Sequence, residues 1–172
     1  MLRKRGSMRK YVVLWMAMLL VGTLFVGCDQ QENANTKKDF VFVYKDVEMT
    51  PHGEAAPIIT KLGKPISYYE FESCAFDGKD KRYQYDSIII CTYSKQGADY
   101  IYTIQLKDDL VETREGVYIG MPMTEVWKIY GEPTIDTGTC YVYQRKNTEL
   151  SIMYEGENVT DIVYGISTYE GN

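Results

Sequence analysis

The sequence predicts an α+β protein built as two tandem repeats, each a short helix or helix pair followed by an antiparallel β-meander, with the helices on one sheet face. Three observations predict it. Residues 116–133, GVYIGMPMTEVWKIYGEP, read as a strand end, a short helix and a hard stop. Met123, Val126, Trp127 and Tyr130 fall at i, i+3, i+4 and i+7, one helical face, so Trp127 is expected mid-stripe in the core. Pro122 suits the first helical position, while Gly131 and Pro133 end the helix. The stretch also has an echo: Ala55, Ile58, Ile59 and Leu62, then Gly63 and Pro65, precede their counterparts by a constant 68 residues. Finally, Tyr83 and Tyr85 echo Tyr141 and Tyr143, and Ile104 echoes Ile162, at an offset of 58, so the second copy is ten residues shorter between helix and sheet.

The chain opens with Arg3, Lys4, Arg5, Arg9 and Lys10, followed by an uncharged apolar run over residues 11–27 and then Cys28. A basic start, a hydrophobic run and a small residue at the cut describe a secretory signal. With Leu24-Phe25-Val26-Gly27-Cys28 at its end, the segment resembles a bacterial lipoprotein signal and its lipobox, with Phe25 where Leu is usual. The resemblance implies cleavage before Cys28 and diacylglycerol and palmitate chains on that residue. The alternative is an uncleaved anchor near the short limit, about 17 residues, for a membrane span. Both place the remainder outside the cytoplasm; the first tethers it by lipid to the outer face of the cell membrane. Residues 1–27 are thus read as signal peptide and 28–38 as a polar, flexible tether. Beyond the signal stand 14 basic against 24 acidic residues, a formal charge of −10, which disfavours nucleic acid as a partner.

The first repeat and its connector are read as 39–115, the second repeat as 116–172. Residues 39–45 alternate and predict a strand. Pro57 is expected to split the first helix into two pieces. Strands are expected near 67–75, 81–86, 87–93 and 99–107, with turns at 77–80 and 94–98. In the second repeat they fall near 139–144, 149–154 and 159–167. Residues 108–115 form a charged connector.

The helix motif, the Tyr-rich hairpin and "VTDIVYG" together resemble the tandem repeat of the β-lactamase-inhibitor-protein fold. The small outer-membrane assembly lipoproteins resemble a single such repeat. "ESCAFDGKDKRYQYD" and "LKDDLVETREGVYIG" are similar to uncharacterised surface lipoproteins of Gram-positive bacteria. The resemblance covers roughly residues 47–166 and implies a fold and protein binding without enzymatic activity. It does not carry over β-lactamase inhibition.

No chemistry is legible. His52 is the only histidine, and no metal-ligand spacing accompanies it, so it reads as a solvated turn residue. Asp77, Asp80 and Asp86 lack the calcium-loop spacing, and Asp77-Gly78 reads as a turn. No catalytic nucleophile, metal or cofactor is predicted. Besides Cys28 the chain holds Cys74, Cys91 and Cys140. A Cys74–Cys91 bridge would cross two strand spacings, about 9.6 Å, beyond the reach of about 7 Å; buried free thiols are expected, with a Cys140 bridge left open. The 16 tyrosines are the compositional signal. Tyr packs well in sheets and also supplies rigid contact area at interfaces. Tyr68, Tyr83, Tyr85, Tyr141 and Tyr143 are the candidate binding face. The expected function is a lipid-anchored extracytoplasmic module that binds an envelope or surface protein through an open tyrosine-rich face; the alternative is an extracytoplasmic carbohydrate or small-ligand binder.

Overall fold

Short strands dominate because β-branched and aromatic residues fall in alternating runs closed by tight turns. The computed structural model describes residues 38–76 and 78–167. The signal peptide, Cys28, the tether apart from Lys38, Asp77 and residues 168–172 lie outside the described residues. The elements run β1 (Phe42–Tyr44), β2 (Val47–Met49), α1 (Ala55–Leu62), β3 (Ser67–Glu72), β4 (Lys79–Gln84), β5 (Ile88–Lys95), β6 (Ala98–Leu106), α2 (Met123–Tyr130), β7 (Ile135–Asp136), β8 (Cys140–Arg145), β9 (Thr148–Glu155) and β10 (Asn158–Ile166). β1 and β2 form a hairpin, and the other strands make one antiparallel sheet ordered β3-β4-β5-β6-β10-β9-β8-β7.

This corrects the α+β class. The described residues are 50% strand and 12% helix, in one eight-stranded sheet plus a two-stranded one, with two helices. The strands of both repeats join in one continuous sheet, where Ile104 of β6 stands opposite Tyr164 of β10. The physical reason lies at the helix ends. Gly63 and Gly131 both take φ of 76° and stop each helix after eight residues. Pro57 does not split α1, because it sits in the first turn, where no helical N–H is required. The strand expected over 39–45 contains β1, and the chain then turns back into β2 to make a hairpin ahead of α1. Phe42, Tyr44, Val47 and Met49 alternate with exposed residues and bury one side of that hairpin.

The core lies between one sheet face and a layer made of the hairpin and both helices. In register across the sheet, Tyr83, Ile90, Ile104, Tyr164, Leu150 and Tyr143 stand opposite one another. Opposite residues share a face, so this row marks the covered side. α2 contributes Val126, which is fully buried, with Met123 and Tyr130 partly buried. Trp127 is not in the core: it is 51% exposed. Its position is one helical step, about 100°, from Val126, and the contact made by so short a helix is too narrow to include it. Pro122 precedes the helix instead of opening it.

Candidate functional site

The five candidate tyrosines all belong to the covered side of the sheet or its rim. Tyr68, at the outer end of the core row, is exposed, and its ring lies 5.0 Å from that of Tyr83. Tyr83 and Tyr141 are partly buried against the core, Tyr141 with its ring 5.1 Å from that of Tyr154. Tyr85 and Tyr143 are buried. They make the same contact in the two halves of the sheet: Tyr85 donates its hydroxyl to the Gly63 carbonyl at 3.3 Å, and Tyr143 donates to the Gly131 carbonyl at 3.2 Å. Each hydroxyl satisfies an orphan carbonyl at a helix end and pins that helix to the sheet. Burial disfavours the phenolate, raising the pKa of Tyr85 and pushing that of Tyr143 up to about 12.

The opposite sheet face carries a different set of rings. β3 ends at Glu72 and β4 begins at Lys79, both earlier than expected, because Lys79 and Asp80 already pair with Glu72 and Phe71. Ser73 Oγ accepts hydrogen bonds from the backbone N–H of Ala75 and Phe76 at 3.3 and 3.0 Å, folding the loop over β5. Gly78, at φ +95°, permits the approach: a Cβ there would stand 3.2 Å from Ser94 Cβ. Phe76 then rests on Tyr93 with ring centroids 4.4 Å apart, and faces Tyr102 edge-on at 6.0 Å. Tyr93 also contacts Tyr100 and Tyr102.

His52 completes this cluster. It has a left-handed φ of 69°, held because its N–H donates to the Ile101 carbonyl at 2.8 Å while the Ile101 N–H donates to Gly53. Its Nδ1 stands 3.2 Å from the Tyr93 hydroxyl. Burial raises the pKa of that hydroxyl. Together with Cys74, the Ser94–Gln96 turn and Ile166, these side chains line an open cleft of about 840 Å³. Phe76 and Tyr102 are each about 40% exposed in it, whereas Tyr93 is 6% exposed beneath them. The cleft offers flat apolar surfaces and a polar rim, which suits binding by stacking and hydrogen bonding.

Sequence reasoning missed this cluster because its rings come from a loop, two strands and the segment before α1. The available signal was the ten-residue excess between helix and sheet in the first half, which supplies the loop. Of the thiols, Cys74 is exposed, not buried as expected, and Cys91 and Cys140 are half-buried; all three are free. β4 lies between β3 and β5, although Cys74 falls just beyond β3. Among the described residues no group of three or more His, Cys, Asp or Glu side chains is placed to hold a metal ion. No protein-family model matches the chain, and no curated protein or solved structure matches it.

Proposed function

We propose that this protein is a lipid-anchored, extracytoplasmic binding module that recognises a partner protein through the aromatic surface of the β3–β6 half of its sheet. The anchor rests on the lipobox-like run ending at Cys28. The observation that carries the binding reading is an asymmetry. Ile66, Tyr68, Tyr69, Phe71, Phe76 and Tyr102 are exposed in or beside β3–β6, while none of the exposed large hydrophobic residues among those described lies in β7–β10. Clustered exposed aromatics of this kind mark interaction sites.

Photo-cross-linking in the native envelope tests this. A photoreactive phenylalanine analogue at position 76 or 102 should give protein adducts, and the same group at position 142 in β8 should not. Equal adducts at all three positions, or none at 76 and 102, would refute protein binding by this surface. A second reading, a carbohydrate or other small polar ligand, draws on the volume of the cleft, which falls within the range of about 300–1,000 Å³ for small-ligand sites. Calorimetric titration with oligosaccharides, compared between wild type and Tyr102→Ala, separates it from the first.

A further inference from the structure

We propose that β3 is a docking edge that receives an extended segment of the partner as a ninth strand of the sheet, and that this segment alternates cationic with apolar side chains. The inference rests on the protein-binding reading and adds the geometry and chemistry of the partner.

β3 ends the sheet and pairs only with β4. Antiparallel pairs alternate between residues whose backbone groups face the neighbour and residues whose groups face away. The Ser73 N–H donates to the Gly78 carbonyl at 3.0 Å, in register with the β3–β4 ladder. Counting back by twos, Phe71, Tyr69 and Ser67 turn their backbone groups toward β4, and Tyr68, Glu70 and Glu72 turn theirs outward. Among the described residues nothing pairs with those outward groups. Residues 68–72 are all exposed. Edges of folded proteins are commonly protected by brevity, Pro, charged side chains (Lys above all) or a covering element. The opposite edge, β7, is two residues long, whereas β3 has six and contains neither Pro nor Lys.

The side chains on this edge select the occupant. Residues of an added strand that stand opposite Glu70 and Glu72 would meet carboxylates, and those between them would meet Tyr69 and Phe71 on the other face. Glu70 bonds Lys79 at 2.6 Å and stands opposite Lys81 across the β3–β4 pair, while Glu72 stands opposite Lys79 without a salt bridge among the described residues. The chain beyond its signal carries a formal charge of −10. A cationic–apolar alternation therefore matches both faces and the overall field. A second copy fits less well, because it brings the same negative charge and, in the register centred on Glu70, sets two Glu70 carboxylates opposite each other.

The test uses the full-length protein in detergent and a fluorescent peptide of about twelve residues alternating Lys with Val, long enough to span β3. The control keeps the lysines and replaces alternate valines with Pro, which cannot join a ladder. The alternating peptide should bind at least about tenfold more tightly than the control, a difference of about 1.4 kcal/mol. It should slow amide exchange at Tyr68, Glu70 and Glu72 but not at Ile135 and Asp136. Glu70→Lys combined with Glu72→Lys should cost about tenfold in affinity; both side chains are exposed, and an unchanged circular dichroism spectrum verifies the fold. Equal binding of the Pro control would reduce the effect to net charge and overturn the proposal. So would unchanged exchange at β3, or protection of β3 that rises with protein concentration without peptide, which would assign the edge to a second copy. If cross-links form at positions 76 and 102 while β3 stays unprotected, the protein-binding reading stands and the docking edge alone falls.

Discussion

The β3–β6 and β7–β10 halves of the sheet share much of their internal design and differ at their outer ends. Each is preceded by an eight-residue helix closed by a glycine at φ 76°, and each pins that glycine's carbonyl with a buried tyrosine hydroxyl. The segment before each helix also bonds to its own half. His52 and Gly53 pair with Ile101 on β6, and Gly120 and Met121 pair with Val159 on β10. The outer arms diverge. In the first half, β3 and its loop take twelve residues, 67–78; in the second, β7 and its loop take five, 135–139. The longer arm holds Tyr68, Tyr69, Phe71 and Phe76, all exposed. Shared contacts tie both halves to one core, and the unshared arm leaves its rings exposed.

The largest expected effect tests the shared core. Ile90→Ala and Leu150→Ala truncate fully buried residues in the two halves, and each should cost about 2–5 kcal/mol in denaturant melts. Because β6 pairs with β10, each variant should still unfold in a single transition. Two separate transitions would mean that the halves are independent.

A smaller effect tests the matched hydroxyls. Tyr85→Phe and Tyr143→Phe should each cost about 1 kcal/mol, the usual net worth of a hydrogen bond. Both phenols ionise less readily in the folded protein than in the unfolded chain, whose tyrosines titrate near pH 10. Their contribution is therefore complete below about pH 10 and is lost as the pH rises through each folded-state value, about 12 for Tyr143. Alkaline melts of the two phenylalanine variants should show a shallower decline over that window than the wild type. An unequal response would show that one half relies on its latch more than the other.

The smallest effect concerns exposed rings. Trp127→Ala and Phe76→Ala should each change stability by no more than about 0.5 kcal/mol. A loss of several kcal/mol for Trp127→Ala would return that ring to the core. Of the two, only Phe76→Ala should reduce cross-linking from position 102.

Local signals in the chain located nearly every strand of the main sheet. Alternation and the turn residues bracket β5, β6, β8, β9 and β10 within a residue or two, and Gly63 and Gly131 mark both helix ends. The class was misjudged because two eight-residue helices carry conspicuous motifs but little of the chain. β1 falls within the strand expected over 39–45, but its hairpin with β2 was missed because Lys45-Asp46 does not read as a turn, yet both residues take the positive φ that a two-residue hairpin needs. The sheet faces were hidden by Ile88-Ile89-Ile90, all buried, which erases the period of two. That concealment also gathered the candidate tyrosines from the covered side. His52, Phe76, Tyr93 and Tyr102 could not be assembled from spacing, since contacts between distant segments create their cleft.

The brevity of β7 has a consequence for growth. A sheet with two open edges of similar length can polymerise, each molecule's trailing edge becoming the template for the next. Here the trailing edge offers only Ile135 and Asp136. A strand captured at β3 thus ends the extension it begins. On the docking proposed for β3, each copy would take one strand, and crowding would raise its occupancy without converting copies into a fibre.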